Sequence, residues 1–552
     1  MKVSRKCMGH TMNQGGTADR VDNSSLINTE YSVFIRDFLF PSNQRTGNII
    51  RIHRIHERKP AMRITPTYEK IKELAKTGKY DVAPISTEIL SDFTTPIETL
   101  RILKNASEHV YLLESARADD KWGRYTFLGF EPGLCITCAD GKLTAGEDSI
   151  ETEDPSEYIR SVLKNYRSPR SEELPPFTGG LVGYFSYDYL GYSEPSVRKH
   201  HTKDRRGFND VDLMLFDKVI AFDNVRQKII LIVNMFLSDG ENGYEDAVKE
   251  LKRLEQLIKK GDKLIETHGR LLGKVTPLFD KKRFCDMVEK AKSYIREGDI
   301  FQIVLSNRLS APFDGCLLDT YRMLRTVNPS PYMFYFSGTD IEVAGASPET
   351  LVKLKDGVLH TFPLAGTRPR GKNAEEDAQL EAELLKDEKE LAEHNMLVDL
   401  GRNDLGKISE FGTVEVEKLR SVEYFSHVMH IGSTVRGQIR SDKDALDAVE
   451  AVLPAGTLSG APKIRACQLI GELEKNQRGI YGGAIGYIDF TGNMDTCIAI
   501  RLVYKKGNTV YVRSGAGIVA DSDPEKEFEE CMNKAKASLT ALRLAQEDAA
   551  DL

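Results

Sequence analysis

The chain has 552 residues, of which 40% are hydrophobic and 29% charged, and its formal net charge is −7. That is a water-soluble, globular composition with material for roughly two to four domains. Both charge signs are spread along the chain, which excludes the basic footprint of a nucleic-acid binder and any membrane-surface signal. The longest apolar run, IILIVNMFL at 229–237, is far short of the ~18 residues a membrane-spanning helix needs.

Residues 1–61 hold ten Lys or Arg against five Asp or Glu, with little periodicity and polar clusters such as NQGGTADR. They read as a poorly ordered extension. Met1 is not followed by the apolar segment of a signal peptide, and acidic residues from Asp19 onward argue against a transit peptide. A cleaner pattern begins at Met62, consistent with translation starting there. From 62 to 265 runs an N-terminal region with strands expected at HVYLLESA, RYTFLGF, GGLVGYFSYDYL, KVIAFD and KIILIVNMF. The eight cysteines are scattered. Cys135 and Cys138 form the one CxxC; with no second pair, they read as strand residues in a reducing, cytoplasmic setting. The stretch GYEDAVKELKRLEQLIKKGDKLIETHG reads as a helix polar enough to act as a bridge. The second region, 266–552, opens with a helix at FCDMVEKAKSYIREGD. Strands are expected at FQIVLSNRLSA, YMFYFSG, IEVAGASPE, GVLHTFPLAGT, HVMHIGSTVRG, GGAIGYIDF, MDTCIAIRLVY and TVYVRSGAGIV. They mix with helices without strict βαβ alternation, and no internal repeat is present.

Two helices share a problem. In DEKELAEHNMLVDLGRND, residues 387–404, each residue turns about 100°. Glu390 and Glu393 therefore lie on the arc continued by Leu397 and Leu400, with Asn395 and Asp399 opposite. The last helix reads DPEKEFEECMNKAKASLTALRLA, with Asp523 a good N-cap and Pro524 suited to the first position. There Glu527 and Glu530 stand three apart on one face, beside Ala537 and Ser538. Carboxylates facing a crowded interior are costly, and four of them meeting uncompensated repel and shift one another's pKa upward. The pattern offers no basic partner. A divalent cation resolves the conflict, and all-oxygen ligands favour Mg²⁺. The plainer alternative is two solvated acidic faces. A di-iron site needs Glu-x-x-His, and His394 directly follows Glu393, so that spacing fails.

Two glycine motifs point elsewhere at first sight. GAGIVA at 515–520 matches G-x-G-x-x-A after a strand, but the helix waits for Pro524 instead of starting within the glycines, against dinucleotide binding. GTLSGAPK at 456–463 lacks the Gly-Lys-Ser/Thr of a P-loop, so its backbone suits a carboxylate better than a triphosphate.

Taken together, GASPE (345–349), PLAGTRPRG (363–371), DEKELAEHNMLVDLGRNDLG (387–406), HVMHI (427–431), PAGTLSGAPK (454–463), RGIYGGAIGY (478–487), RSGAGIV (513–519) and DPEKEFEE (523–530) resemble the chorismate-utilising enzymes, over about residues 62–545. Within them the resemblance is to the branch that forms anthranilate. It implies an α/β fold of α+β type: a large mixed two-sheet sandwich with surrounding helices. It implies a Mg²⁺ cofactor with Glu393 and Glu530 as direct ligands and Glu390 and Glu527 as outer carboxylates holding metal-bound water. Tyr481, Arg501 and backbone N–H groups of Gly515, Ala516 and Gly517 match residues that grip the enolpyruvyl carboxylate of chorismate; Gly366, Thr367 and Thr457 match further substrate contacts. Glu349 matches the general acid at the C4 hydroxyl, which should be protonated when substrate is bound. His430, chosen over His427 by the match alone, corresponds to the residue assisting pyruvate elimination; without the resemblance both would read as strand histidines.

Two positions separate the branches. Isochorismate and salicylate synthases carry a water-activating lysine where this chain has Gln302, and aminodeoxychorismate synthases carry a lysine where PLAGT has Ala365. The resemblance thus implies ammonia attack at C2, giving anthranilate and pyruvate, the first step of tryptophan biosynthesis. The alternatives are aminodeoxychorismate synthesis and a non-catalytic amino-acid-binding regulator. No Gly-x-Cys-x-Gly elbow of a glutamine amidotransferase is found. Ammonia is therefore expected from a separate amidotransferase subunit, in a heterotetramer of two large and two small subunits. LLESA (112–116) and NPSPYMFYF (328–336) match a two-part pocket for inhibitory L-tryptophan, with Ser115 in the first part and Pro331, Tyr332 and Met333 in the second. Read without the family, they are a strand with a polar turn and core aromatic packing.

Overall fold

The computed structural model describes residues 62–116, 123–198, 207–264, 268–424 and 428–548. The expected N-terminal extension lies outside them. Met62–Leu552 forms one compact unit.

Two large antiparallel sheets face each other. The first runs in the order 82–90, 228–236, 218–223, 125–130, 110–114, 332–337, 342–347, 502–506, 509–518, 302–314 and 270–271. The second runs 364–369, 428–438, 358–361, 350–355, 494–498, 484–489, 180–185, 211–216, 134–139, 142–145 and 148–151, with 415–424 on the outer side of 428–438. In each sheet the strands from before 265 form one contiguous block and those from after it another, joined where 110–114 pairs with 332–337 and where 180–185 pairs with 484–489. Successive side chains on a strand point to opposite faces. Tyr111, Phe334 and Phe336 therefore meet Tyr184, Phe216 and Ile485 in the space between the sheets, while Leu112 and Tyr335 turn outward beneath helices. Helices Gly240–Lys260, Leu318–Val327 and Pro524–Asp548 cover the first sheet, and helices Glu388–Gly406 and Ala445–Val452 the second. The sandwich expected from the sequence is the fold observed.

Several local expectations change. The polar 243–269 stretch is no bridge: its helix ends at Lys260, and Ala247, Leu251, Leu254 and Ile258, spaced four, three and four, bury one stripe on the sheet. Cys135 and Cys138 are strand residues, as expected. GVLHTFPLAGT is two strands, broken at Pro363, which has no N–H to give a ladder. MDTCIAIRLVY is also two strands, Met494–Ile498 and Leu502–Lys506, and they belong to different sheets.

Candidate active site

That break positions the site. The chain passes between the sheets twice in adjoining places, once from Glu342–Ser347 to Thr350–Lys355 and once from Met494–Ile498 to Leu502–Lys506. Glu349 lies on the first crossing and Arg501 on the second. Backbone hydrogen bonds tie the crossings together: the Ile498 N–H donates to Glu349 O at 3.0 Å and the Ala346 N–H to Arg501 O at 3.1 Å. The Ser347 hydroxyl adds a bond to Ile498 O at 2.7 Å. Arg501 has φ 53°, a region that costs a non-glycine residue energy and collects at functional sites.

The electrostatics of the two crossings are complementary to an anion that needs a proton. Burial pushes the Glu349 pKa up to about 8, opposed only by the Thr457 hydroxyl, 3.3 and 3.4 Å from its two carboxylate oxygens. At neutral pH Glu349 is therefore mostly a neutral acid. Arg501 has no ion-pair partner among the described residues; burial pulls its pKa down, and Tyr481 is the one group favouring its charge. The Tyr481 ring is buried beside Gly515, where an added Cβ would fall 3.0 Å from the hydroxyl and 2.7 Å from Leu305 O. Only glycine admits that approach. Gly517 faces Gln302, whose amide nitrogen, the movable end of that side chain, would be 2.9 Å from a Cβ there. Ala516 between them turns into the core below.

His430 sits across the strand pair from Thr367. Its Nδ1 is 3.0 Å from Gly366 O and 3.0 Å from the Thr367 hydroxyl. A carbonyl can only accept, so these partners assign the proton to Nδ1 and leave Nε2 as the basic nitrogen. Burial first, and the Arg501 charge second, lower its pKa, against the Gly366 bond that raises it, so the ring is neutral near pH 7. Gly366 has φ +73° at a bulge, and a Cβ there would meet Glu390 Oε2 at 3.3 Å. The pairing of strands Leu364–Pro369 and Val428–Gln438 thus brings His430, Gly366, Thr367 and the first glutamate helix to one place, with Ala365 buried opposite Ile431. His427 lies outside the described residues.

The glutamate helix is turned from its expected position. Its buried face is His394, Leu397, Val398, Gly401, Asp404 and Leu405, roughly 60° around from the Glu390–Leu400 arc. The cause is His394, fully buried with Nε2 2.6 Å from the Ser433 hydroxyl on strand Val428–Gln438. Glu390 and Glu393 are left half-buried at the margin of the packed face, which lessens their desolvation. Burial, then Glu390, and more weakly Glu530, raise the Glu393 pKa; burial and Glu530 raise that of Glu527. Glu393 thus responds to Glu390 and Glu530, and Glu527 to Glu530, while two details differ from the expectation. Glu530 is exposed, not turned inward, and basic partners exist: Lys534 lies 2.7 Å from Glu530 and Arg368 3.8 Å from Glu390. No three acidic, His or Cys side chains among the described residues close to metal-binding distance. The donors are all carboxylate oxygens, the ligand type of a hard divalent cation.

Other sequence features resolve plainly. Lys463 of GTLSGAPK is buried against Asp404 at 2.6 Å, so it holds the loop to the glutamate helix and is not available to a phosphate. Strand Thr509–Ile518 contains the GAGI residues, against a dinucleotide turn. Ser115, Pro331, Tyr332 and Met333 do come together, lining one cavity of about 880 Å³. The sequence reading missed Lys353 and Asp495, a 2.6 Å ion pair on the wall of that cavity. It also missed Thr350 behind it. A charged pair at the mouth of two strands carries no local signal of what it will face.

Comparisons with known proteins place the chain in a family. Residues 108–540 match the family described as chorismate binding enzyme. The chain belongs to that family. Its place within it is beside the proteins named anthranilate synthase component 1. It is 44% identical over 496 residues to that of Acetivibrio thermocellus, spanning 87% of this chain and 99% of that one, and 43% identical over 507 residues to that of Aquifex aeolicus, spanning 88% and 99%. The crystal structure of anthranilate synthase component I from Streptococcus pneumoniae is similar with TM-score 0.68 and 38% identity, covering 82% of this chain and 98% of that one. The menaquinone-specific isochorismate synthase of Escherichia coli, at 20% identity and TM-score 0.64, shares the fold.

Proposed function

We propose that this enzyme converts chorismate and ammonia to anthranilate and pyruvate, as the names of its relatives indicate for them. The observation that carries the reading is the pair of crossings, tied together by backbone hydrogen bonds: one carries a carboxyl with its pKa raised to about 8, the other a buried guanidinium with no ion-pair partner among the described residues. Chorismate has a C4 hydroxyl that leaves only if protonated and two carboxylates that need cations. Glu349 gives its proton to the departing hydroxyl, with Thr457 orienting the carboxyl. Arg501 and Tyr481 take the enolpyruvyl carboxylate, with the 515–517 backbone at close approach. His430 Nε2 handles a proton as pyruvate is lost, while Gly366 O holds the ring. Glu393 and Glu530 would hold Mg²⁺ directly, with Glu390 and Glu527 outside them; when bound it supplies the positive charge that anchors the ring carboxylate. Gln302 is no base for water, and Ala365 cannot form a covalent amine adduct, which favours ammonia at C2 over isochorismate or 4-amino products.

Ammonia comes from a separate glutamine amidotransferase subunit, in a two-plus-two assembly acting in the cytoplasm. The 880 Å³ cavity binds L-tryptophan as a feedback inhibitor; its aromatic walls and charged Lys353, Asp495 and Arg124 suit an indole and an amino-acid head. The test is incubation of the purified chain with chorismate, Mg²⁺ and ammonium at alkaline pH, with products identified by mass. Anthranilate is expected, and none should form from glutamine without the second subunit. Isochorismate or a 4-amino product in its place would overturn the assignment.

A further inference from the structure

A hydrogen-bond chain runs from the cavity wall to Thr350, the residue that follows Glu349 in sequence. The Tyr332 hydroxyl, on the cavity wall, lies 2.8 Å from Asp495 Oδ1 and 2.9 Å from the Thr350 hydroxyl. The Tyr332 hydroxyl donates its one proton to Asp495, so the Thr350 hydroxyl donates to Tyr332. Lys353 holds the other oxygen of Asp495 at 2.6 Å. Tyr332, Asp495 and Lys353 line the cavity; Thr350 does not. Thr350 is buried, follows Glu349 directly, and begins the bulged register between Thr350 and Val352 in the pairing with strand Met494–Ile498. Bulges of this kind aim nearby side chains, and a β-branched residue has few rotamers with which to absorb a lost partner.

We propose that Thr350 is a positioning residue for Glu349, and that the Thr350–Tyr332–Asp495 chain carries the state of the cavity to that acid. An amino-acid ligand that draws Asp495 or Lys353 to its own charged head removes the acceptor of the Tyr332 hydroxyl. Tyr332 then turns, Thr350 loses its bond, and the bulge resets the direction of the Glu349 carboxyl. The inference rests on reading the cavity as an amino-acid site; without ligand the same chain holds Glu349 toward its working position.

Thr350→Val removes the bond without touching the cavity wall, and Thr350→Ser keeps it. The measurements are kcat and KM for chorismate across pH, calorimetric binding of tryptophan, and the ratio of tryptophan affinities with and without chorismate. For Thr350→Val we expect kcat to fall with KM nearly unchanged and the alkaline limb of the pH profile to move. Tryptophan should still bind, but its coupling to chorismate should drop from the usual ~5- to 150-fold range to within about twofold of none. Thr350→Ser should restore all three. A Thr350→Val enzyme with wild-type kcat, pH profile and coupling overturns the proposal. Failure of tryptophan to bind the wild-type enzyme at all overturns the cavity reading and the relay with it, while a kcat and pH effect that persists in that case retains Thr350 as a positioning residue.

Discussion

Replacing Glu349 with glutamine removes the one proton donor on the first crossing while preserving its shape. With a pKa of about 8 in place of 4.5, about nine in ten Glu349 side chains carry a proton at pH 7, against about one in 300 for an unperturbed glutamate. The variant should bind chorismate with little change and lose ~10²-fold or more in kcat, the scale of a positioned general acid. The same shift sets a stability cost. A carboxyl whose folded pKa is raised gives stability that is fully present below its unfolded pKa and lost as pH rises through the folded value. The wild type should therefore weaken relative to Glu349→Gln between about pH 4.5 and 8, by of the order of 5 kcal/mol at most, since each pKa unit is worth about 1.4 kcal/mol. The assays are steady-state kinetics with ammonium from pH 6 to 10 and denaturant unfolding at about pH 4.5 and at about pH 8. Wild-type kcat/KM should carry an alkaline limb near pH 8, opposing the rise in free ammonia. Unchanged kcat in Glu349→Gln, together with parallel stability curves, would refute both the assignment and the electrostatic reasoning beneath it.

Glu393→Gln or Glu530→Gln should abolish turnover and weaken Mg²⁺-dependent chorismate binding measured by titration calorimetry; full activity in both at low Mg²⁺ removes the quartet from metal binding. Ser115 exchanged for a bulky residue should leave kcat nearly intact and raise the tryptophan needed for half inhibition, and in the wild type that inhibition should weaken as chorismate rises. A wild-type enzyme indifferent to millimolar tryptophan rules the pocket out. Asp212, buried with Oδ1 lacking a partner among the described residues and its pKa pushed to about 6, tests the fold itself. Relative to Asp212→Asn, the wild type should lose about 3 kcal/mol of stability between pH 4 and 8, and thermal unfolding curves with identical pH dependence would contradict that.

What could be read from the sequence and what could not divide along the range of the forces involved. Strand identity and helix existence follow from local periodicity, and they were legible in runs such as YMFYFS and KIILIVNMF. The rotation of the glutamate helix was not, because its apolar arc was counted without His394. A histidine reads as polar until Ser433, 39 residues away in sequence, supplies the partner that lets it be buried. The break at Arg501 was hidden for a related reason: MDTCIAIRLVY has β propensity throughout, and nothing in it marks the point where one half joins a different sheet from the other. Only the pairing of Gly345 with Leu502 and of Thr350 with Cys497, set by distant strands, decides that the chain must turn between them. The candidate site residues came from motif resemblance; backbone hydrogen bonds tie the crossings that carry Glu349 and Arg501, and the 364–369 pairing places Gly366 beside His430. What resemblance alone could not give is the reason these side chains are reactive. A glutamate becomes an acid at neutral pH because the first crossing encloses it with one hydroxyl for company, and the arginine of the second crossing is buried with no ion-pair partner among the described residues. The chemistry is thus a property of the place where the two sheets exchange strands, and substitutions that alter the crossing, Thr350 first among them, should change the acid without touching the substrate.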